Sequence, residues 1–195
     1  MGIGGAHAPG ATPLDPDETR GLIPRHIRMQ AELNQWEQAN VLEGSAWAMR
    51  SRERDILNER FVRELHKRMF GDTWRWAGTF RTTEKNIGVD PAQLAVRLRD
   101  LLEDVRYWTE HRSYPADEIA MRFHHRLVVI HPFPNGNGRH ARLITDVLLK
   151  RNGAAAFTWG GANLETAGDA RDRYLTALRA ADGGDYTLLQ AFVRS

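Results

Sequence analysis

The stretch His131-Pro-Phe-Pro-Asn-Gly-Asn-Gly-Arg139 limits the possible folds of this chain more than any other part of it. Before it, Ile119, Phe123, Leu127 and Ile130 recur at helical spacing, and after it Leu143, Ile144, Val147 and Leu148 do the same. The stretch is therefore a loop joining two amphipathic helices. Pro115 suits the first turn of the earlier helix, and the later one begins near Arg139. Glycines 136 and 138 let the backbone take positive φ and approach a ligand, turning successive N–H groups toward one point. The positive end of the second helix faces the same point, so the junction is an anion site.

The side chains around that site divide the work of phosphate chemistry. His131 is the one group there that exchanges a proton near neutral pH, its ordinary pKa being about 6.5. Arg139 and Arg142 are three residues apart, share a helix face, and carry planar guanidiniums that grip neighbouring phosphates. Asn137 supports the loop or donates to a phosphate oxygen. His124 and His125, on the preceding helix, lack a metal-ligand spacing and read as structural.

The rest of the chain reads as one mainly α-helical unit. Residues 1–23 are rich in Gly, Pro and small residues and are expected to form a flexible or extended arm. Helical spacing follows at Ile27, Ala31, Leu33, Trp36, Val41, Leu42, Ala46 and Trp47, giving one or two helices over about 25–49. A further helix carries Ile56, Phe61, Leu65 and Met69 and stops at Gly71. Residues 79–89 have strand-compatible residues around Glu84-Lys-Asn86 and are expected to form a short β-hairpin. A helix opened by Pro91 comes next, and residues 164–181 and 186–193 are expected to form two closing helices.

With 195 residues, 42% hydrophobic and 27% charged, the chain supports a single well-buried core over residues 24–195. Its 27 basic and 25 acidic residues nearly balance, which gives no ground for direct nucleic-acid binding. The absence of cysteine excludes disulfides and thiolate chemistry. No apolar run approaches membrane-spanning length, and the start lacks a secretory or myristoylation pattern. The expected address is cytoplasmic. The arginine-rich residues 50–54 are interleaved with acids and read as a solvated face.

His131, Phe133, Gly136, Asn137, Gly138, Arg139 and Arg142 stand as in the signature of the Fic family, His-x-Phe-x-(Asp/Glu)-Gly-Asn-Gly-Arg-x-x-Arg, and the chain resembles that family over nearly its whole length. Trp74-Arg-Trp-Ala-Gly78 and Phe80-Arg-Thr-Thr-Glu-Lys-Asn-Ile87 are similar to the segment leading into the Fic flap. Thr12-Pro-Leu-Asp-Pro-Asp-Glu18 and Gly21-Leu-Ile-Pro24 resemble the subgroup called mobile mystery protein B. The resemblance implies the Fic fold, a helical bundle with a small β-hairpin flap over the active site. It also implies a protein adenylyltransferase (AMPylation) that moves AMP from ATP to a Ser, Thr or Tyr hydroxyl. His131 would be the catalytic base, and Phe133, Gly136, Asn137, Gly138, Arg139 and Arg142 would hold ATP. A target would add a strand to the flap at Thr82, Thr83, Glu84, Lys85 and Asn86. Self-modification, a bacterial source and a neighbouring helix-turn-helix protein belong to the same resemblance.

Two features depart from the pattern or qualify it. Asn135 stands where the family carries the acid that holds Mg²⁺ or Mn²⁺, and a neutral amide is a weaker ligand for a hard cation. Ala39-Asn-Val-Leu-Glu43-Gly44 resembles the family's inhibitory motif, (Ser/Thr)-x-x-x-Glu-(Gly/Asn), at Glu43 and Gly44 only, with Ala39 in place of the hydroxyl residue. That match implies a brake in which Glu43 pairs with Arg142. Alternatives are a Fic-type phosphotransferase, against which Gly138 stands where Doc-type relatives carry Lys, a de-AMPylase, and a degenerate module that binds nucleotide or a partner without turnover.

Overall fold

The computed structural model describes residues 12–161, 164–165 and 167–195. Its elements in chain order are α1 (Pro16–Thr19), α2 (Gln30–Arg50), α3 (Glu59–Phe70), α4 (Leu94–His111), α5 (Ala116–Ile130), α6 (Asn137–Arg151), α7 (Asp169–Asp182) and α8 (Thr187–Val193), with short 3-10 turns at Pro91–Gln93 and Trp159–Gly161. The described residues include no strand beyond an isolated bridge between Leu22 and Trp74. No helix among them is long and apolar enough to cross a membrane.

The junction helices pair with each other, and each also takes part in a wider core. α3 buries Phe61, Val62, Leu65, Met69 and Phe70 on one stripe, and this apolar face packs with α4 and the inner sides of α5 and α6. Asn58 caps α3 by accepting the Phe61 N–H (2.8 Å). A second core forms where α7 and α8 close over the other side of α5 and α6 around Tyr174, Leu178, Leu189 and Phe192. The site loop thus projects from a helix pair clamped on two sides.

α2 departs from the face that its apolar residues suggested. Leu42 is 61% exposed and Trp36 is exposed too, while the side turned inward carries Leu33, Asn40, Gly44 and Ala48. The driving feature is close approach. A Cβ on Gly44 would lie 2.8 Å from the Met69 backbone, so glycine lets α2 and α3 touch. Asn40 then accepts from the Thr73 hydroxyl (2.9 Å) and is satisfied in a buried setting. α2 begins at Gln30 rather than near residue 25, and α7 at Asp169 rather than at 164.

The expected hairpin at 79–89 is absent. Its flanks bond to the α5–α6 loop instead of to each other: the Arg81 N–H donates to Pro132 O (2.9 Å) and the Val89 N–H to Ile130 O (3.4 Å). Inside the resulting irregular flap lies the buried Arg81 guanidinium, which donates to the carbonyls of His131 (2.7 Å), Thr83 (2.8 Å) and Val89. These carbonyls are satisfied by a side chain, so no strand ladder is needed.

The arm also differs from expectation, although residues 1–11 lie outside the described residues. From Thr12 onward the chain is docked. The Ile23 N–H donates to Thr73 O (2.8 Å), the Arg75 N–H to Gly21 O (2.9 Å), and the Trp76 indole to Glu18 O (3.0 Å).

Candidate active site

His131 ends α5 in the left-handed conformation, φ 54° and ψ 60°, which costs a non-glycine residue about 1 kcal/mol and reverses the chain. The loop beyond it is held by Asn137, the first residue of α6. Asn137 Oδ1 accepts the Phe133 N–H (2.9 Å) and its Nδ2 donates to Phe133 O (2.8 Å). Both side-chain groups are used, so Asn137 is a clamp rather than a phosphate donor. Phe133 is fully buried and stacks on His66 with ring centroids 3.7 Å apart, so it is a core anchor and not a nucleotide contact.

His66, from α3, tightens the same loop. Its Nδ1 accepts the Gly78 N–H (3.0 Å), which puts the ring proton on Nε2, and Nε2 donates to Asn135 O (3.0 Å). Complete burial holds its pKa well below the ordinary value and keeps it neutral.

Of the two glycines, only Gly136 has positive φ, at 76°, and a Cβ there would strike the Phe70 ring at 2.6 Å. Gly138 is inside α6, where a Cβ would meet only Arg142 Nη1 at 3.6 Å. The anion cradle is therefore one left-handed turn followed by a helix N-terminus. The N–H groups of Asn137, Gly138 and Arg139 precede the first intrahelical acceptor.

His131 is 4% exposed, and its Nε2 lies 2.9 Å from the Thr12 hydroxyl. Burial, then the Arg81 guanidinium, and more weakly Lys85 push its pKa down to about 4, while the Val128 carbonyl favours the protonated ring. The imidazole is neutral at physiological pH. When the ring proton is on Nδ1, the Thr12 hydroxyl donates to Nε2, the arrangement a general base needs.

Both signature arginines face carboxylates. Arg139 Nη1 pairs with Glu37 Oε2 at 2.7 Å, and Glu37 Oε1 accepts the Trp74 indole N–H at 2.6 Å. Glu165 stands 3.8 Å from Arg139 and 3.9 Å from Arg142. Arg142 is further placed by Tyr174, whose hydroxyl also bonds His124 Nε2 (2.9 Å). Burial and the charge of Arg142 depress His124 to about 3.

The expected brake is therefore misassigned. Glu43 is exposed and Gly44 packs on Met69. Six residues along α2 turn the side chain through about 600°, leaving Glu43 on another face from Glu37, and of these two α2 carboxylates Glu37 is the one that pairs with a signature arginine.

The flap residues meet the chain's own N-terminal segment. Thr83 Oγ1 donates to Asp15 Oδ2 (2.8 Å), and Lys85 Nζ donates to Asp15 (2.9 Å), Glu18 (2.5 Å) and Pro13 O (3.4 Å). The Lys85 side chain is 3% exposed. Thr82 and Glu84 are exposed beside them. The docking runs through side chains, with no backbone ladder between residues 12–19 and 82–86 among the described residues.

Asn135 does not fit a metal. Its Oδ1 accepts the Gly136 N–H (2.7 Å) and its Nδ2 donates to Thr12 O (2.9 Å). Among the described residues no group of three or more His, Cys, Asp or Glu could hold an ion. Thr12, Glu37, His66, Arg81 and Glu165 were not singled out as site residues from the sequence. Glu37 had a faint signal in its place on the helix before the core, and a buried Arg81 had none.

Residues 56–149 match the family model described as Fic/DOC family. Protein adenylyltransferase fic-1 of Caenorhabditis elegans is 31% identical over 149 residues, 74% of this chain and 27% of that protein. Protein adenylyltransferase Fic of Drosophila virilis is 28% identical over 191 residues, 91% of this chain and 36% of that protein. The chain thus spans roughly a quarter to a third of these curated relatives. Among solved structures, Bartonella tribocorum BepC protein with bound AMPPNP superposes with a TM-score of 0.70 at 16% identity, covering 92% of this chain and 97% of that one. C. elegans Fic-1 (residues 134–508) gives 0.63 at 24%, covering 93% and 54%. These structures share the fold.

Proposed function

We propose that the chain, whose residues 56–149 match the Fic/DOC family model, transfers AMP from ATP to a hydroxyl of a protein, releasing pyrophosphate. The observation that carries the reading is a hydroxyl 2.9 Å from His131 Nε2, beside a helix N-terminus that bears two arginines. His131 Nε2 takes the proton as the hydroxyl attacks the α-phosphorus, a role that contributes about 10²–10⁴-fold. The first N–H groups of α6 stabilise charge growing on the phosphate. Arg139 and Arg142 receive the departing pyrophosphate. A divalent ion accompanies ATP in solution, but no step depends on one held by Asn135.

Glu37 sets the resting state. A carboxylate and a phosphate compete for the same guanidinium fork, so ATP engages Arg139 only after Glu37 lets go. A target hydroxyl reaches His131 only after residues 12–19 leave the flap. Placement in the mobile mystery protein B subgroup, and with it a helix-turn-helix neighbour, rests on the wording of residues 12–18 and 21–24 alone.

The test is incubation with ATP labelled on the α- or the γ-phosphate, with Mg²⁺ or Mn²⁺, for the natural protein, Glu37→Gly and His131→Ala. Covalent label from the α-position, raised in Glu37→Gly and lost in His131→Ala, is expected. Label from the γ-position would make the protein a phosphotransferase. ATP binding without label in any variant would make it a binding module.

A further inference from the structure

We infer that Thr12 is the chain's own acceptor, presented to His131 for AMP transfer within the same molecule. This rests on the nucleotidyl-transfer reading and adds to it a modification site. Three independent contacts put the hydroxyl where an acceptor has to be. Thr12 Oγ1 lies 2.9 Å from His131 Nε2. Its carbonyl accepts from Asn135 Nδ2 (2.9 Å), while the Oδ1 of that same amide holds the Gly136 N–H (2.7 Å) at the start of α6. One side chain therefore joins the acceptor residue to the turn that receives phosphate. Beyond it, Lys85 and Thr83 of the flap hold Asp15 and Glu18.

Asn135 gives the arrangement a reason. A carboxylate at this position accepts hydrogen bonds only and would face the Thr12 carbonyl lone pair to lone pair. An amide accepts from Gly136 and donates to Thr12 at once. The residue that departs from the family's signature is thus the one that seats the arm. Pro13 contributes by disfavouring the helical region for Thr12, which suits a peptide laid across a site.

In the transfer, a lone pair of Thr12 Oγ forms the bond to the α-phosphorus of ATP, and the hydroxyl proton passes to His131 Nε2. The bond from the α-phosphorus to the bridging oxygen breaks, and its electron pair leaves with pyrophosphate. The histidine then returns its proton to solvent. The products are an adenylyl ester on Thr12 and free pyrophosphate.

The experiment uses the full chain with ATP and Mg²⁺ or Mn²⁺, read by intact mass, peptide mapping and pyrophosphate release. The protein, Glu37→Gly, Thr12→Ala, Thr12→Ser and His131→Ala are compared, with circular dichroism confirming that each folds. One adenylyl group is expected on Thr12, retained on residue 12 in Thr12→Ser and absent in Thr12→Ala. His131→Ala should lower it by about a hundredfold or more. Because the step is intramolecular, the labelled fraction at a fixed time should not change over about a tenfold dilution. AMP attached elsewhere, undiminished in Thr12→Ala, would overturn this assignment and leave the nucleotidyl-transfer reading intact. Absence of adduct and of pyrophosphate from every variant, including Glu37→Gly, would overturn both.

Discussion

Replacing Lys85 with Met should loosen residues 12–19 from the flap while keeping the packing of the aliphatic stem. Lys85 Nζ bonds two carboxylates of unequal exposure: Glu18 has 14% of its side chain exposed and Asp15 has 43%. A charge-assisted bond in the first setting contributes about 1.5 kcal/mol net. The second, screened by solvent, contributes about 0.5 kcal/mol. The long contact to Pro13 O adds little. The sum, about 2 kcal/mol, corresponds to a rise of roughly 30-fold in the population with the arm open. Amide hydrogen exchange reads that population directly, and the probes are the Thr19, Arg20 and Gly21 N–H groups, which bond Asp15 O, Pro16 O and Glu18 O. A change smaller than about threefold would refute the reasoning, since it would mean that the Trp76–Glu18 bond and the Leu22–Trp74 bridge hold the segment unaided.

Stability should fall on mild acidification. His131 and His140 titrate near 4 and His124 near 3 in the folded chain, against 6.5 when unfolded, so the unfolded state binds more protons as pH drops below 6.5. Their contribution is fully present above pH 6.5 and is lost toward pH 4. Denaturation midpoints should be level from pH 8 to 7 and decline steadily to pH 5, and a level profile down to pH 5 would contradict the burial of these rings. Gly136→Ala combines positive φ with a Cβ 2.6 Å from Phe70 and should lower unfolding free energy by about 2–4 kcal/mol in urea titration. Gly138→Ala, in helical conformation with room for a methyl group, should leave stability equal or raise it by up to about 1 kcal/mol. Equal losses at the two positions would show that the turn, as described, is wrong.

The helix pair and its loop were legible because α5 and α6 carry apolar stripes and the loop between them has a fixed order of special residues. α2 was not legible in the same way. Beside Leu33 its buried face carries Asn40, Gly44 and Ala48, which no periodicity of large apolar residues marks, and close packing on α3 decided it. The flap failed as a hairpin because its strand-compatible residues do not show that a side chain of the segment itself, Arg81, will take the carbonyls a partner strand would have needed. The arm looked flexible by composition, but its docking depends on Lys85, seventy residues from Asp15. In the site, the motif marks the junction that His131 closes and from which Arg139 and Arg142 rise on α6, while Phe133 and Asn137 are taken up by burial and loop hydrogen bonds and Glu43 by helix phase.

Under the proposed AMP transfer, the two occupied halves of the site bear on one reaction from opposite ends. Glu37 holds the arginine that a leaving pyrophosphate needs, whereas residues 12–19 hold the ground that an acceptor needs. They differ in kind. The Glu37 carboxylate occupies a phosphate's partner and has to depart before ATP can bind there, but Thr12 brings a nucleophile and is already where the chemistry requires one. Removing Glu37 therefore acts first on ATP engagement, and the residue modified next is decided by what lies at His131. An arm seated by Asn135 and Lys85 makes that residue Thr12 before any other protein arrives. Modification of a separate target should accordingly grow, and that of Thr12 shrink, with the fraction of molecules whose arm is open. The same variable that hydrogen exchange measures for Lys85→Met sets the division between self and target.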